Sequence, residues 1–252
     1  MNNLPETLEY PILAKIVKKE HVSDLLNGKL YMNNLKYFVD LEQKTGIAGV
    51  GDIREASLAS IKKHRLFIQI DGEERNEIEI EPPPGIIYDT DALYHPVFCC
   101  MHNDIKLQRE GKTNEYLGTM KLTEKNFIDF TENNQDTYKI VIILDVCSFF
   151  ARFKSALEKN NIMANIGPVQ YRDRSIPNIQ NGQWILDNTF IKDIRFKDQL
   201  EFRFELLFRS PNPYILDIGN IQDIAISADC EKLIYPGFHI IQELKEAGAE
   251  WV

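Results

Sequence analysis

From Gln199 to Leu206 the chain alternates without a break. Gln199, Glu201, Arg203 and Glu205 are polar; Leu200, Phe202, Phe204 and Leu206 are apolar. A period of two predicts a strand, here "DQLEFRFELLF", with one face on a core. "YPILAKIVKK" (10–19) and "KLYMN" (29–33) read as strands, and "TYKIVIILD" (137–145), apolar on both faces, as a central one. "HPVFCCMH" (95–102) reads as a buried strand, "NIGPVQYRD" (165–173) as another, and "DIGNIQDIAISAD" (217–229) contains one more. "HRLFIQIDGEERNEIEIE" (64–81) is a hairpin pattern, two alternating segments around Asp71-Gly72, ended by the prolines of "PPPG".

Helical spacing appears elsewhere. "EHVSDLLNG" (20–28) predicts a short helix stopped by Gly28. "NLKYFVDLE" (34–42) predicts a second, with Asn34 as N-cap and Leu35, Phe38 and Leu41 on one face. "SFFARFKSALEKNN" (148–161) is amphipathic through Phe149, Phe150, Phe153, Ala156 and Leu157. Residues 103–136 are polar and poorly periodic and read as a long excursion with short helices. "NGQWILDNTFIKDIRF" (181–196) reads as partly helical, and residues 230–252 as one or two helices broken at Pro236-Gly237. Together these predict an α+β protein, a mixed and largely antiparallel central sheet with flanking helices. No repeat or clean linker divides it, so residues 1–252 form a single domain in this reading.

Composition narrows the function classes. The 252 residues are 44% hydrophobic and 27% charged, ordinary for a globular chain, with a net charge of −9. An acidic chain is poorly suited to sequence-independent duplex binding, which needs cations against phosphate. The N-terminus has no signal-peptide pattern, and the most apolar stretch, "YKIVIILDVCSFFARF", is interrupted by Asp145 and Arg152. No membrane association and a cytoplasmic location are expected. Cys99, Cys100, Cys147 and Cys230 form no CxxC pair and read as buried free thiols, with Cys99 and Cys100 on opposite faces of a strand. No zinc spacing, HExxH or GxSxG is present, and no metal is expected.

Two stretches could carry chemistry. "GVGDIREA" is glycine-rich but lacks the lysine and Ser/Thr of a P-loop. Either it is a surface loop with Asp52 and Glu55 solvated, or those carboxylates pin it over a pocket by bonding backbone N–H groups or an arginine. In the second stretch, Gln199 and Glu201 stand two apart and leave one face of a strand. An amide there could hold an acceptor while the carboxylate stabilises charge developing at an anomeric carbon. A solvated sheet face with weak cross-strand pairs among Glu201, Arg203 and Glu205 accounts for the same row. Asp52, Glu55 and Asp104 could also be assembled as metal ligands of a nuclease, though no acidic–lysine signature accompanies them. His95 and His102 flank the buried strand and read as satisfied or surface histidines.

In order, "HVSDLLNGKLYMNNLKYF", "GDIREA", "VFCCMH", "GPVQYRD" and "FIKDIRFKDQLEFRFELLFR" resemble a prokaryotic and phage family of unknown function with an Asn-Asp-Pro-x-Glu-like box. The box is reduced here to Gly51-Asp52-Ile53, without proline, and Cys-Cys replaces the usual Ser-containing central strand. The layout is similar to the ADP-ribosyltransferase-like group, in which a late strand brings a glutamate, often as Gln-x-Glu. That resemblance implies an NAD-using enzyme, in a phage–host conflict setting, with Glu201 and Gln199 catalytic. Lys15 stands nearest the group's first-strand His or Arg, Tyr31 or Tyr37 would stack on nicotinamide, and Asp52 and Glu55 would line the cofactor site. The alternative is a non-catalytic defence or counter-defence protein that binds and inhibits or senses a protein partner, using its acidic surface and the 103–136 excursion. A macromolecular acceptor and a homo-oligomer are compatible with either.

Overall fold

The computed structural model describes residues 5–45, 52–61, 64–68, 76–80, 85–111, 115–120, 137–174, 179–180, 183–184, 187–230 and 238–243. In chain order its strands are β1 (Thr7–Lys18), β2 (Lys29–Asn34), β3 (Ser57–Ile61), β4 (His64–Ile68), β5 (Asn76–Ile80), β6 (Gly85–Tyr88), β7 (Pro96–Arg109), β8 (Glu115–Met120) and β9 (Tyr138–Ile143). They continue as β10 (Ala164–Pro168), β11 (Gln170–Arg172), β12 (Ile179–Gln180), β13 (Gln183–Trp184), β14 (Ile191–Asp193), β15 (Glu201–Leu206), β16 (Tyr214–Asp217), β17 (Ala225–Asp229) and β18 (Phe238–Glu243). The α-helices are α1 (Val22–Leu26), α2 (Leu35–Thr45) and α3 (Val146–Asn160).

The expected class is what is found: a ten-stranded sheet in the order β10-β15-β7-β1-β9-β17, with helices against it. All its pairings are antiparallel, including the branches β16–β2–β7 and β18–β8–β7. The long β7 is the hub. Its first half pairs with β15 and its second half with β1. The hairpin β4–β5 forms as its alternation predicted, with Ile68 opposite Asn76; the Asp71-Gly72 turn lies outside the described residues.

One face of the sheet is capped by α3. Asp145 caps that helix by accepting from the Ser148 amide at 2.9 Å. Phe149 and Phe153, one turn apart, are fully buried against Phe204 at ring separations of 5.7 and 4.9 Å. Leu13, Phe98, Cys100, Val141 and Leu206 complete that core. Asn34 caps α2 by accepting from the Tyr37 amide at 3.0 Å, and Leu35 and Val39 are the side chains it buries. Gly28 ends α1 at a φ of 85°, where a Cβ would lie 1.8 Å from the Gly219 carbonyl oxygen, so only glycine lets the two backbones meet.

Several expectations are corrected. Of the excursion expected over 103–136, residues 103–109 extend β7 and 115–120 form β8, while 121–136 lie outside the described residues. Pairing with β1 supplies the backbone partners that make a strand of this polar segment. Phe238–Glu243 forms β18 rather than a helix, because β8 offers an open edge, with Phe238 opposite Met120 and Glu243 opposite Glu115. "NIGPVQYRD" is split into β10 and β11, which belong to different sheets. Cys147 is exposed, unlike Cys100 and Cys230.

Candidate functional site

The polar row of the 199–206 segment is not wet. Glu201, Arg203 and Glu205 are 7%, 1% and 1% exposed. Two segments cover them: the turn that leads into β3, bearing Asp52 and Glu55, and the stretch 187–199, bearing Thr189 and Lys192. The strand itself begins at Glu201, two residues after the alternation starts at Gln199. Residues Ile194–Gln199 form a 3-10 helix, and Leu200 takes a left-handed φ of 47° before β15 starts. Gln199 therefore does not share the strand parity of Glu201, which corrects the expectation that both leave one strand face. They still meet, because Lys192 Nζ donates to Gln199 Oε1 and to Glu201 Oε2, each at 2.8 Å.

Arg203 is the centre. Its Nε and Nη2 donate to Glu201 Oε1 at 2.8 and 2.6 Å. Its Nη1 and Nη2 donate to the two oxygens of Glu55, both at 3.0 Å, in the fork geometry that suits guanidinium and carboxylate. Nη1 also donates to the Thr189 carbonyl. Lys192 lies 3.5 Å from Glu55, so two cations and two carboxylates alternate in a closed set. Burial alone would raise the Glu201 pKa, but Arg203 and Lys192 outweigh it and hold the carboxyl well below its usual range. Burial would lower those of Lys192 and Arg203; the carboxylates beside them hold both above their ordinary values. Cys99, opposite Arg203 on β7, points its thiol at Glu201; desolvation first and that carboxylate second push it up to about 12, so it stays a thiol rather than a nucleophilic thiolate.

Two further clusters flank the set. Glu205 Oε1 meets His95 Nδ1 at 2.8 Å, and its Oε2 accepts from the Thr189 hydroxyl at 2.7 Å. Arg174 donates to Asp187 at 3.1 Å, to the Arg54 carbonyl at 2.7 Å and to Ser57. Thus the β11 side of the molecule is tied to the 52–57 turn. Asp52 Oδ1 accepts from the Arg54 amide at 2.9 Å, whereas Oδ2 is buried with no partner among the described residues. Burial first, then the Glu55 charge, push the Asp52 carboxyl up to about 6. Asp52 and Glu55 therefore bond a backbone N–H and an arginine, as the pinned-loop reading expects, rather than standing in water.

The remaining predicted residues lie apart from this set. Register puts Ala14, Met101 and Glu201 on one face, so Lys15 leaves the opposite one, where its ammonium donates to the Cys99 carbonyl and sits 5.0 Å from the Phe98 ring centre. Tyr31 on β2 is 55% exposed and Tyr37 on α2 46% exposed, on the outside of the molecule. Asp104 is exposed on β7 beside His102, and among the described residues no group of three or more His, Cys, Asp or Glu could hold a metal ion. Sequence reasoning missed Lys192, Arg174, Asp187, Thr189 and the His95–Glu205 pair. The available signal was the Glu-x-Arg-x-Glu row itself, which places an arginine between two carboxylates on one face.

A cleft of about 280 Å³ opens elsewhere, lined by Asn33, Asn34, Lys36, Tyr37, Asp40, Tyr94, Pro211 and Pro213. Beside it runs the β2–β16 ribbon, whose inner residues Leu30, Met32 and Leu216 are buried while the cross-strand pair Tyr31 and Ile215 is 55% and 53% exposed. The charges here are already matched: Lys29 with Asp24 at 3.1 Å, Lys36 with Asp40 at 2.7 Å, and Arg209 with Asp91 at 3.1 Å. No helix among the described residues is long and apolar enough to cross a membrane. No family model, curated protein or solved structure matches the chain.

Proposed function

We propose that this chain is a binding protein that engages a protein partner through the outer face of the β2–β16 ribbon and the adjoining cleft. The observation that carries this reading is the exposed Tyr31–Ile215 pair. Two large side chains lie side by side in water over a ribbon whose other face buries Leu30, Met32 and Leu216. Contiguous exposed apolar and aromatic surface marks interaction sites, and tyrosine is enriched where partners meet. The local charges cancel in pairs on a chain of net charge −9, so this face suits an uncharged protein surface rather than phosphate or nucleic acid. The family resemblance suggests a phage–host conflict setting, in which such a protein would inhibit or sense its partner.

The test is capture of a stoichiometric partner from cells of the source, followed by quantitative binding to variants. The expected result is about tenfold or greater loss of affinity for Tyr31→Ser with Ile215→Ser, and unchanged affinity for Glu201→Gln after its folding is checked by circular dichroism. A partner that ignores the ribbon variants sinks the reading.

A second reading keeps the ADP-ribosyltransferase-like enzyme, because Gln199, Glu201, Asp52 and Glu55 gather around Lys192 and Arg203. In it Glu201 would face the nicotinamide ribose of NAD and Gln199 the acceptor. Against it stands the saturation of Glu201, whose oxygens already accept from Arg203 and Lys192. A carboxylate so neutralised has little charge left for an oxocarbenium-like centre. Transfer of label from NAD to any macromolecule, abolished by Glu201→Gln, would put this reading first.

A further inference from the structure

We infer that the chain forms a twofold symmetric homodimer in which the edge strand β17 pairs antiparallel with β17 of a second copy, joining the two main sheets into one. The inference uses neither Tyr31 nor Ile215 and stands apart from the ribbon reading.

Among the described residues the sheet path ends at β10 on one side and at β17 on the other. An edge strand presents a row of unpaired N–H and C=O groups, and proteins blunt such edges with proline or charge. β10 is blunted. The Leu207 amide donates to the Met163 carbonyl at 2.8 Å, so the register turns the backbone of Ala164, Ile166 and Pro168 outward. Pro168 has no N–H to offer there. β17 has no proline, and its one charged residue, Asp229, is engaged by Lys139. The Leu144 amide donates to the Ile224 carbonyl at 2.8 Å, and Ala225 stands opposite Ile143. Bonded pairs alternate along an antiparallel ladder, so Ile226 and Ala228 bond to β9 while Ala225 and Ser227 direct N–H and C=O to the open side.

This edge is complementary to itself. With a twofold axis at Ser227, outward groups meet outward groups, and the two Ser227 residues exchange both bonds. The register then sets Ile226 opposite Ala228 of the second copy, and Ala225 opposite its Asp229, so no charged residue directly faces another. The side chains continue as well. Ala14, Ile142 and Ile226 form one apolar row across β1, β9 and β17, and Ile16, Ile140 and Ala228 form the next. Both rows run off the edge, where Ile226 is 36% exposed. Across the axis each row is continued by the other row of the second copy, which covers Ile226. A contact in which the same patch serves both copies closes at two.

The experiment is sedimentation velocity on the full chain from about 1 µM to about 1 mM. A species of twice the chain mass is expected. Ile226→Lys should weaken it by about tenfold or more, and Ser227→Pro, which removes an N–H that β9 does not use, should do the same. Ile166→Lys on β10 should leave it unchanged, and circular dichroism checks that each variant folds. Ser227→Cys tests the register without weakening the contact. Facing residues of a bonded pair lie about 5.5 Å apart, within reach of a disulfide. Mild oxidation should therefore link two copies well beyond the parent, whose exposed Cys147 sets the background. A monomer at every concentration, a dimer indifferent to both Ile226→Lys and Ser227→Pro, or no added cross-link in Ser227→Cys would overturn the inference. A dimer that persists when Tyr31→Ser with Ile215→Ser abolishes partner binding supports both readings; a dimer with no ribbon-dependent partner supports this one alone.

Discussion

The two faces of β15 differ in what they bury and in how each would fail. Phe204 and Leu206 enter a core of rings from β7 and α3, where contact is non-directional and a lost side chain leaves a cavity. Glu201, Arg203 and Glu205 are just as deeply buried, yet each is held by specific donors and acceptors from the 52–57 and 187–199 segments. A buried ion pair contributes little net stability relative to apolar packing, because desolvation offsets attraction. What it supplies here is position: the fork between Arg203 and Glu55 locks the turn before β3 onto the strand. One face stabilises the fold; the other fixes where its covering segments sit.

The largest expected effect tests that contrast directly. Arg203→Ala leaves Glu55 and Glu201 to share Lys192, one buried cation for two buried carboxylates, and should cost about 3–5 kcal/mol at neutral pH. Phe204→Ala should cost a similar ~3–5 kcal/mol through cavity formation. Denaturant melts at two pH values separate them. Acid should partly rescue Arg203→Ala, as the carboxylates protonate, and leave the cost of Phe204→Ala unchanged. If both respond alike to pH, the contrast between the faces is wrong.

Asp52 sharpens the comparison at an intermediate scale. Its carboxyl titrates at about 6 in the fold, above the ordinary 3.8. The folded state therefore holds a proton that the unfolded chain releases. The associated stability is fully present below about pH 4 and is lost as pH rises through about 6. Asp52→Asn, a fixed neutral analogue, should remove this loss and stabilise the protein at pH 8 by up to about 3 kcal/mol, with little gain at pH 4. Melting temperatures across that range read it. Equal gains at both ends would show that Asp52 is not the titrating group.

The smallest expected effect lies outside both faces of β15. Tyr31→Ser should shift folding stability by no more than about 0.5 kcal/mol, since an exposed side chain with no structural bond contributes little. A larger loss in a denaturant melt would mean that Tyr31 is part of the packing and would remove it from the proposed interaction face.

Much of the fold was legible because local pattern and tertiary demand agreed. The run Tyr138–Ile143 is apolar on both faces and sits inside the sheet. Phe149, Phe153 and Ala156 repeat at helical spacing and form the buried stripe of α3. Legibility failed where a partner strand decided the outcome. Residues 103–109 are too polar to announce a strand, and "FHIIQE" (238–243) fits either period, but β1 and β8 supplied edges that each segment completed. Of the candidate site, the grouping of Glu55, Glu201 and Gln199 was visible only as separate possibilities. Lys192, the residue that joins them, lies in a segment whose pattern marks it as nothing special.

By itself, the order of residues determined the periods, the cap at Asn34, the glycine stop at position 28 and the polarity of each β15 face. All of these are local consequences of backbone geometry and side-chain type. Only the tertiary structure decided that the polar face of β15 would be buried, that Lys15 would leave the other side of the sheet, and that Tyr31 would stay in water. Burial depends on which distant segment arrives to cover a face, and a charged row accepts a cover only when that cover brings the opposite charges.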